Sequence, residues 1–376
     1  MITVKEVKQP GELKAFVKFP FKLYKDSPYW VPPLIKEEIA TFDKTKNPSL
    51  ENADVWLFLA YKEGKIAGRI AAIINHIEVE EQQKKKIRFG WFDVVDDIEV
   101  TKALLAKVAE IGKEKELKYL EGPVGFTHMD KAGMLVKGFD KLSNMSTIYN
   151  YTYYPEHFRK LGFSEGAAWV EFLIGIPDTV PEKIGKFSDI ILKRYNLRLL
   201  QFKSSAELVE YADDMFDLMN RSFKDLQSFI PIQKPQIEQY KKKYLKFIHP
   251  DFVKFIVDEN GKMVAFSITM PSFSRALQKA KGKLFPFGFF HILQAQKKST
   301  SATLYLIGVD PKYQNKGVTA IIFNETNKIF RKRGMRYVES NPELEENMAV
   351  QLLWKHYEEH KKHKRRVTWV KPLDMI

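Results

Sequence analysis

The feature that most narrows the fold is an order of elements that occurs twice. VWLFLAYKEGKIAGRIAAIIN, from Val55 to Asn75, reads as two apolar strands closed by a turn at Glu63-Gly64. VKFIVDENGKMVAFSITMPS, from Val253 to Ser272, repeats the pattern around Glu259-Asn260-Gly261. Each hairpin precedes a third strand, a helix and a fourth strand. In the first half these are IRFGWFDVV, TKALLAKVAEIGKEKE and LKYLEGPV; in the second they are TLYLIGV, TAIIFNETNKIF and MRYVES. Leu104, Leu105, Val108 and Ile111 recur at helical spacing. The spacing predicts an internal duplication that has diverged, with a mixed α/β sheet in each half. The boundary falls between Pro177 and Glu182, dividing the chain into 1–178 and 179–376. Such a length, 376 residues, also suits two cores better than one.

The joins between third strand and helix differ. In the second half, Leu304 to Ala320 reads LYLIGVDPKYQNKGVTA: a short apolar strand, an Asp-Pro turn, and a polar loop opening a helix. A helix that begins this way points several backbone N–H groups at whatever lies before its first turn, and a phosphate is the usual occupant. The first-half join is DVVDDIEVTKAL, which has no glycine and carries Asp93, Asp96, Asp97 and Glu99. Those carboxylates would repel a pyrophosphate. If one half holds a phosphate-bearing cofactor, it is the second.

Composition narrows the alternatives. There is no cysteine, which removes disulfides, thiolate zinc sites and cysteine nucleophiles and fits a reducing cytoplasm. The first twenty residues lack the continuous apolar core of a secretion signal, and no stretch reads as a transmembrane helix. A net charge of +14 would attract nucleic acid, anionic lipid or an anionic cofactor. The basic runs are scattered: Lys84 to Lys86, Lys241 to Lys243, and Lys361, Lys362, Lys364, Arg365 and Arg366. No nucleic-acid-binding motif accompanies them, so they read as a solvated surface. No histidine spacing suggests a metal site.

At this point the pattern resembles the GCN5-related N-acetyltransferase superfamily. The family's loop, Q/R-x-x-G-x-G/A, matches Gln314, Gly317 and Thr319, with threonine in the last place. The helix pattern N-x-x-A-x-x-L-Y-x-x-x-G-F resembles Asn347, Val350, Leu353 and Trp354, with Glu358 and Glu359 where Gly-Phe is expected; in the first half FRKLGF places Phe158, Gly162 and Phe163 on it. Tryptophan and phenylalanine stand where many members carry a proton-donating tyrosine. YKDSPYWVPPL, EGPVGFTHMDKAGMLVKGFD and YYPEHFRKLGF are similar to a bacterial group with two such domains in tandem.

The resemblance implies two tandem acyl-CoA N-acyltransferase-like domains, each a mixed, mainly antiparallel sheet flanked by helices. It implies acetyl-CoA or another acyl-CoA as cofactor, and an amine acceptor, small molecule or peptide, that the sequence does not name. The cofactor residues would be Lys312, Gln314, Asn315, Lys316, Gly317, Val318 and Thr319 around the pyrophosphate, with Asn347 near the pantetheine arm. Ile307, Gly308 and Val309 would offer backbone N–H groups to the thioester carbonyl. Glu339 at the end of the fourth strand, or Glu343 beyond Pro342, can take the amine proton, and Tyr357 is the phenol available to the departing thiolate.

Two segments stand outside that scheme. EGPVGFTHMDKAGMLVKGFD holds Gly122, Gly125, Gly133 and Gly138 around His128 and Asp130, which can receive a cationic acceptor or act as a relay. The competing reading is a loop that locks the domains. FPFGFFHILQA, from Phe285, reads as an apolar seam between the halves, ahead of a pocket lining. The runner-up for the whole chain is a degenerate protein of this fold that binds CoA or another anionic metabolite without catalysis.

Overall fold

Alternating apolar residues make the strands, and strands buried on both faces lie at the centre. The computed structural model describes residues 1–179, 182–224, 226, 229–245, 248–347, 351 and 354–376. The first half supplies β1 (Ile2–Glu6), β2 (Ala53–Lys62), β3 (Lys65–Asn75), β4 (Lys86–Val94), β5 (Tyr119–Gly122), β6 (Met134–Lys137) and β7 (Ser164–Gly175). The second supplies β8 (Arg198–Leu199), β9 (Val253–Val257), β10 (Met263–Pro271), β11 (Ser301–Val309), β12 (Tyr337–Glu339), β13 (Glu343–Leu344) and β14 (His360–Pro372). They form one 14-stranded open sheet in the order β1-β2-β3-β4-β5-β14-β7-β12-β11-β10-β9-β8, with β6 on β14 and β13 on β7. The pairs β4–β5 and β11–β12 are parallel and the rest antiparallel. Both predicted hairpins form, and each half repeats the same succession.

The centre of the sheet is interlaced. β7 leaves the first half to pair with β12, and β14 returns from the chain's end to lie between β5 and β7. A buried polar ladder fixes this register. Arg88 and Lys86 hold Glu78 at 2.6 and 2.8 Å, and Lys86 also holds Glu121 at 2.6 Å. Thr368 donates to Glu121 at 3.1 Å, and Arg366 holds Glu171 at 2.6 Å. Lys364 and Arg366 are each only 1% exposed, so this part of the C-terminal basic run is a buried strand face rather than solvated surface. Lys241 pairs with Asp213 and Glu238, and Lys243 with Glu37, so two of the three lysines of that run are neutralised.

Helices cover the faces: α1 (Pro10–Leu23), α2 (Ile35–Thr41), α3 (Ile98–Glu114) and α4 (Tyr153–Lys160), then α5 (Glu182–Arg194), α6 (Ser205–Glu210), α7 (Ala212–Phe223), α8 (Lys234–Lys243), α9 (Ser274–Ala280), α10 (Gly288–Lys298) and α11 (Val318–Lys332). The apolar stripe of α3, Val100, Leu104, Leu105 and Val108, is buried in the first core. Val318, Ile321 and Ile322 of α11 do the same in the second. Ser204 caps α6, its hydroxyl accepting from the Glu207 amide. The segment from Phe285 is not a seam: Phe285, Phe287 and Phe290 face outward. The predicted last helix falls mostly outside the described residues, as do Val350 and Leu353; Trp354–His356 forms a 3₁₀ turn. No helix among the described residues is long and apolar enough to cross a membrane.

Candidate functional site

β11 and β12 pair only from Ser301–Tyr337 to Thr303–Glu339. Beyond Thr303, β11 runs on to Val309 against β10 alone, so its other edge is split open. A register shift between Ile268 and Thr269 leaves Tyr305 as the extra residue on β11. Gly308 fits because a Cβ there would lie 2.3 Å from the Phe266 ring. Ile307, Gly308 and Val309 therefore line the open edge, and the Asn341 amide reaches across to the Tyr305 carbonyl at 2.7 Å.

After the split edge the chain turns at Asp310, whose carboxylate accepts from the Lys312 amide and pairs with Arg221. Pro311–Tyr313 is a 3₁₀ turn; Asn315 (φ +60°) and Gly317 (φ +80°) are left-handed, and α11 begins at Val318. No side chain caps α11. Among the described residues the amides of Asn315, Gly317, Val318 and Thr319 have no protein acceptor. Lys312 and Gln314 are exposed beside them, and the Lys316 ammonium lies over the Tyr195 and Tyr313 rings. Phe187 and Ile191 of α5 close one side of the turn.

The first half answers differently at both points. Asp97 caps α3, accepting from the Glu99 amide, and Lys62 lies 2.6 Å from its carboxylate, which together hold its pKa below the usual range. The place of an external anion is thus taken by the chain's own carboxylate. The split after Arg88–Glu121 is filled as well. The Val124 amide donates to Phe89, and a Cβ on Gly90 would stand 2.4 Å from the Val124 carbonyl.

The carboxylates of the second half lie in contrasting settings. Glu339 is paired with Lys364, His363 Nε2 lies 3.0 Å away, and the Asn144 amide donates to it at 3.3 Å. Burial raises its pKa, but the Lys364 ammonium and the hydrogen bond from His363 outweigh it and hold it at about 2, so it is a poor proton acceptor near neutrality. Glu343 forms no ion pair among the described residues. Burial pushes it up to about 7, against hydrogen bonds from Trp354 and Ser340. Tyr357 takes a hydrogen bond from Asn327 at 2.9 Å, and its ring lies 6.2 Å from that of Trp354, so Glu343 and Tyr357 flank one indole. Asn347 stands in the turn after β13, its amide bonded to the Leu344 carbonyl.

A cavity of about 270 Å³ lies between the halves. Its walls include Trp30, Val31, Pro33, Glu37 and Glu38, the β4 bulge Gly90–Asp93, Val124, Gly125, Met129 to Lys131, Met145–Tyr149 and, from the second half, Lys243, Tyr244 and Tyr305. Tyr305 therefore belongs both to the split edge and to the cavity. Asp130 lines it, accepting from the Thr127 amide at 2.9 Å, with a pKa raised by burial. Lys131 lines it with no ion pair among the described residues, and burial lowers its pKa. His128 is elsewhere: its ring packs against Phe223 and Phe229, and Nδ1 faces the Ile230 amide at 3.5 Å. His128 and Asp130 thus face different partners, the Ile230 amide and the Thr127 amide. Sequence reasoning missed Lys131, Tyr305 and Tyr244; only the density of glycines around 122–138 marked this region, and it marked the loop rather than the cavity.

No family model matches the chain. It is similar to Protein YghO of Escherichia coli (strain K12), with 28% identity over 315 residues covering 83% of this chain and 80% of that protein. A bacterial ceramide synthase of Caulobacter vibrioides (strain NA1000 / CB15N) is 24% identical over 322 residues, covering 83% and 82%. Among solved structures, a tandem GNAT protein from the clavulanic acid biosynthesis pathway superposes with a TM-score of 0.55 at 11% identity, covering 99% of each chain.

Proposed function

We propose that this chain, which has the tandem fold of the GCN5-related N-acetyltransferases, is an N-acyltransferase that takes its acyl group from acyl-CoA. The observation that carries the reading is the cluster of amides at Asn315, Gly317, Val318 and Thr319, without a protein acceptor among the described residues, directly after the split edge of β11. Those amides and the lysines beside them suit a pyrophosphate. Bound there, the cofactor would supply an activated thioester carbonyl. Thr319, where relatives of this fold carry glycine or alanine, still offers its amide.

The chain's own part is to orient the acceptor and move its proton. The cavity at Tyr305 would hold the amine, with Asp130 drawing a cationic head. Glu343, partly ionised near pH 7, would accept the proton in its carboxylate form, and Tyr357 would protonate the leaving sulfur. Glu339 would act by fixing β12 against β14. The acceptor we infer is an amine with a long apolar body, on the example of the Caulobacter relative. The reading puts the chain in the cytoplasm, where acyl-CoA is available.

The test is CoA binding followed by turnover. Millimolar CoA should raise the melting temperature, because a ligand selective for the folded state stabilises it. Thr319→Glu places a carboxylate in the first turn of α11, which favours the helix but repels a phosphate. It should melt no lower than wild type and lose the CoA response. An unmoved wild-type melt would overturn the reading. The paired state of Glu339 favours the binding-only alternative, which thiol release from acyl-CoA in the presence of long-chain amines would eliminate.

A further inference from the structure

Phe285, Phe287 and Phe290 are 75%, 71% and 63% exposed, and Phe289 and Leu293 beside them are exposed as well. The Phe285 and Phe289 rings stack with centroids 6.4 Å apart, and Phe290 meets Phe289 edge-on. Single apolar residues on a surface need no explanation; five on one turn and its helix mark a contact surface.

The base of this α9–α10 hairpin is braced. Gly282 (φ +76°) packs where a Cβ would stand 2.5 Å from Phe21, and its carbonyl accepts from the Ile35 amide at 3.0 Å. Gln278 donates to the carbonyls of Pro28 and Trp30, both at 2.9 Å. The phenylalanines are therefore displayed on a rigid support. Trp30 belongs to this brace and to the cavity wall, so the hairpin stands beside the cavity.

The surrounding charge selects the occupant. From Pro271 to Thr300 there is no Asp or Glu, while Arg275, Lys279, Lys281, Lys283, Lys297 and Lys298 are all present and exposed. None of the six forms an ion pair with an acidic residue among the described residues. A second copy of the chain docking here would set like charges against each other. We propose that the hairpin seats the protein on an anionic lipid bilayer, with the phenylalanines in the acyl boundary and the lysines among the phosphates. This is surface binding by an apolar face with a basic rim, without a spanning helix. It stands apart from the acyl-transfer reading.

The experiment is flotation of the full chain with phosphatidylcholine vesicles containing about a third phosphatidylglycerol, alongside vesicles of phosphatidylcholine alone. Wild type should float with the first, less with the second, and less again in high salt. The double variant Phe287→Ser/Phe290→Ser should partition at least about tenfold more weakly. Its melting curve should match wild type, because neither ring is packed in the core. Wild type that does not float with anionic vesicles, or a double variant that floats equally, overturns the proposal. Wild type that is a dimer in solution, ignores vesicles and becomes monomeric in the double variant would show a second copy as the occupant instead.

Discussion

The indole Nε1 of Trp354 lies 3.0 and 3.1 Å from the two carboxylate oxygens of Glu343, donating to an acid that has no ion-pair partner among the described residues. That shared hydrogen bond and one from Ser340 do not offset burial, which pushes the carboxyl up to about 7 from 4.5. If Glu343 accepts the amine proton, thiol release should rise with pH through about 7. Glu343→Gln should lower kcat about 10²–10⁴-fold and erase that limb. An unchanged pH–rate profile in the variant would remove Glu343 from the mechanism.

The same group has a signature in stability. A carboxyl whose pKa is raised by folding binds its proton more tightly in the folded state. Its stabilising effect is complete below 4.5 and is lost as pH rises through about 7. Glu343→Gln cannot ionise, so it should match wild type near pH 4 and exceed it at pH 8, by roughly 3 kcal/mol at most. Urea denaturation at the two pH values reads the difference.

His128 should do the reverse. Burial and nearby Arg88 depress its pKa from 6.5 to about 4, and Nε2 is buried without a hydrogen-bond partner among the described residues. Its neutral form belongs to the fold, so stability is complete above 6.5 and falls as pH drops toward 4, by roughly 3 kcal/mol in all. This window overlaps that of Glu343 with opposite sign, and the wild-type curve will look flatter than either effect. Only the differences expose them. His128→Phe should flatten its own contribution and fill the aromatic contact with Phe229. A wild-type-minus-variant difference that is constant between pH 4 and 7 would refute this.

What the sequence disclosed follows from local physics. The turns at Glu63-Gly64 and at Gly261, the amphipathic stripe of α3, and the glycine that opens α11 each act within a few residues, and periodicity reports them. The exchange of β7 and β14 is another matter. Two strands of similar length can pair with either half without any change in pattern, and the choice rests on charges far apart in sequence, such as Glu171 with Arg366. Run together, Lys361 to Arg366 looks like surface; in the fold a register shift at His363 pairs Lys362 with Phe172 and Lys364 with Glu171, putting Lys364 and Arg366 on the buried face that Lys362 leaves, and periodicity does not report that shift. The candidate site divides the same way. The Gln314–Thr319 turn was visible as a motif, whereas the cavity needs Asp130, Lys131 and Tyr305 brought together from both halves.

Lys364 tests the interlaced centre. It holds Glu339 and lies 3.6 Å from Glu171, all three nearly buried. Lys364→Met should cost about 3–5 kcal/mol, because it leaves Glu339 buried with less compensation. Glu339 also gives stability that is present above 4.5 and lost as pH falls toward 2, and this variant should move that loss to higher pH. Adding Glu339→Gln should recover part of the deficit. If the single variant unfolds at the wild-type urea midpoint, the ladder does not hold the halves together.

Two glycines that a sequence would treat alike should respond oppositely to alanine. Gly317 has φ +80°, and a Cβ there would lie 3.0 Å from the Phe187 ring, so Gly317→Ala meets both a left-handed backbone and a tight contact. The backbone alone costs about 1–2 kcal/mol. Phe187→Ala in the same chain should relieve the contact but not the backbone term, leaving a residual loss of that size relative to Phe187→Ala alone. Gly185 sits within α5, where an added methyl would meet nothing nearer than the Asn324 side-chain oxygen at 4.0 Å. Gly185→Ala should therefore stabilise the chain by about 0.5–1 kcal/mol through helix propensity. Denaturant midpoints that fall for Gly317→Ala and rise for Gly185→Ala would show that the turn before α11 is held in its left-handed form, with its amides turned outward. Equal tolerance at both positions would mean that turn adopts another conformation, and the anion seat would lose its geometry.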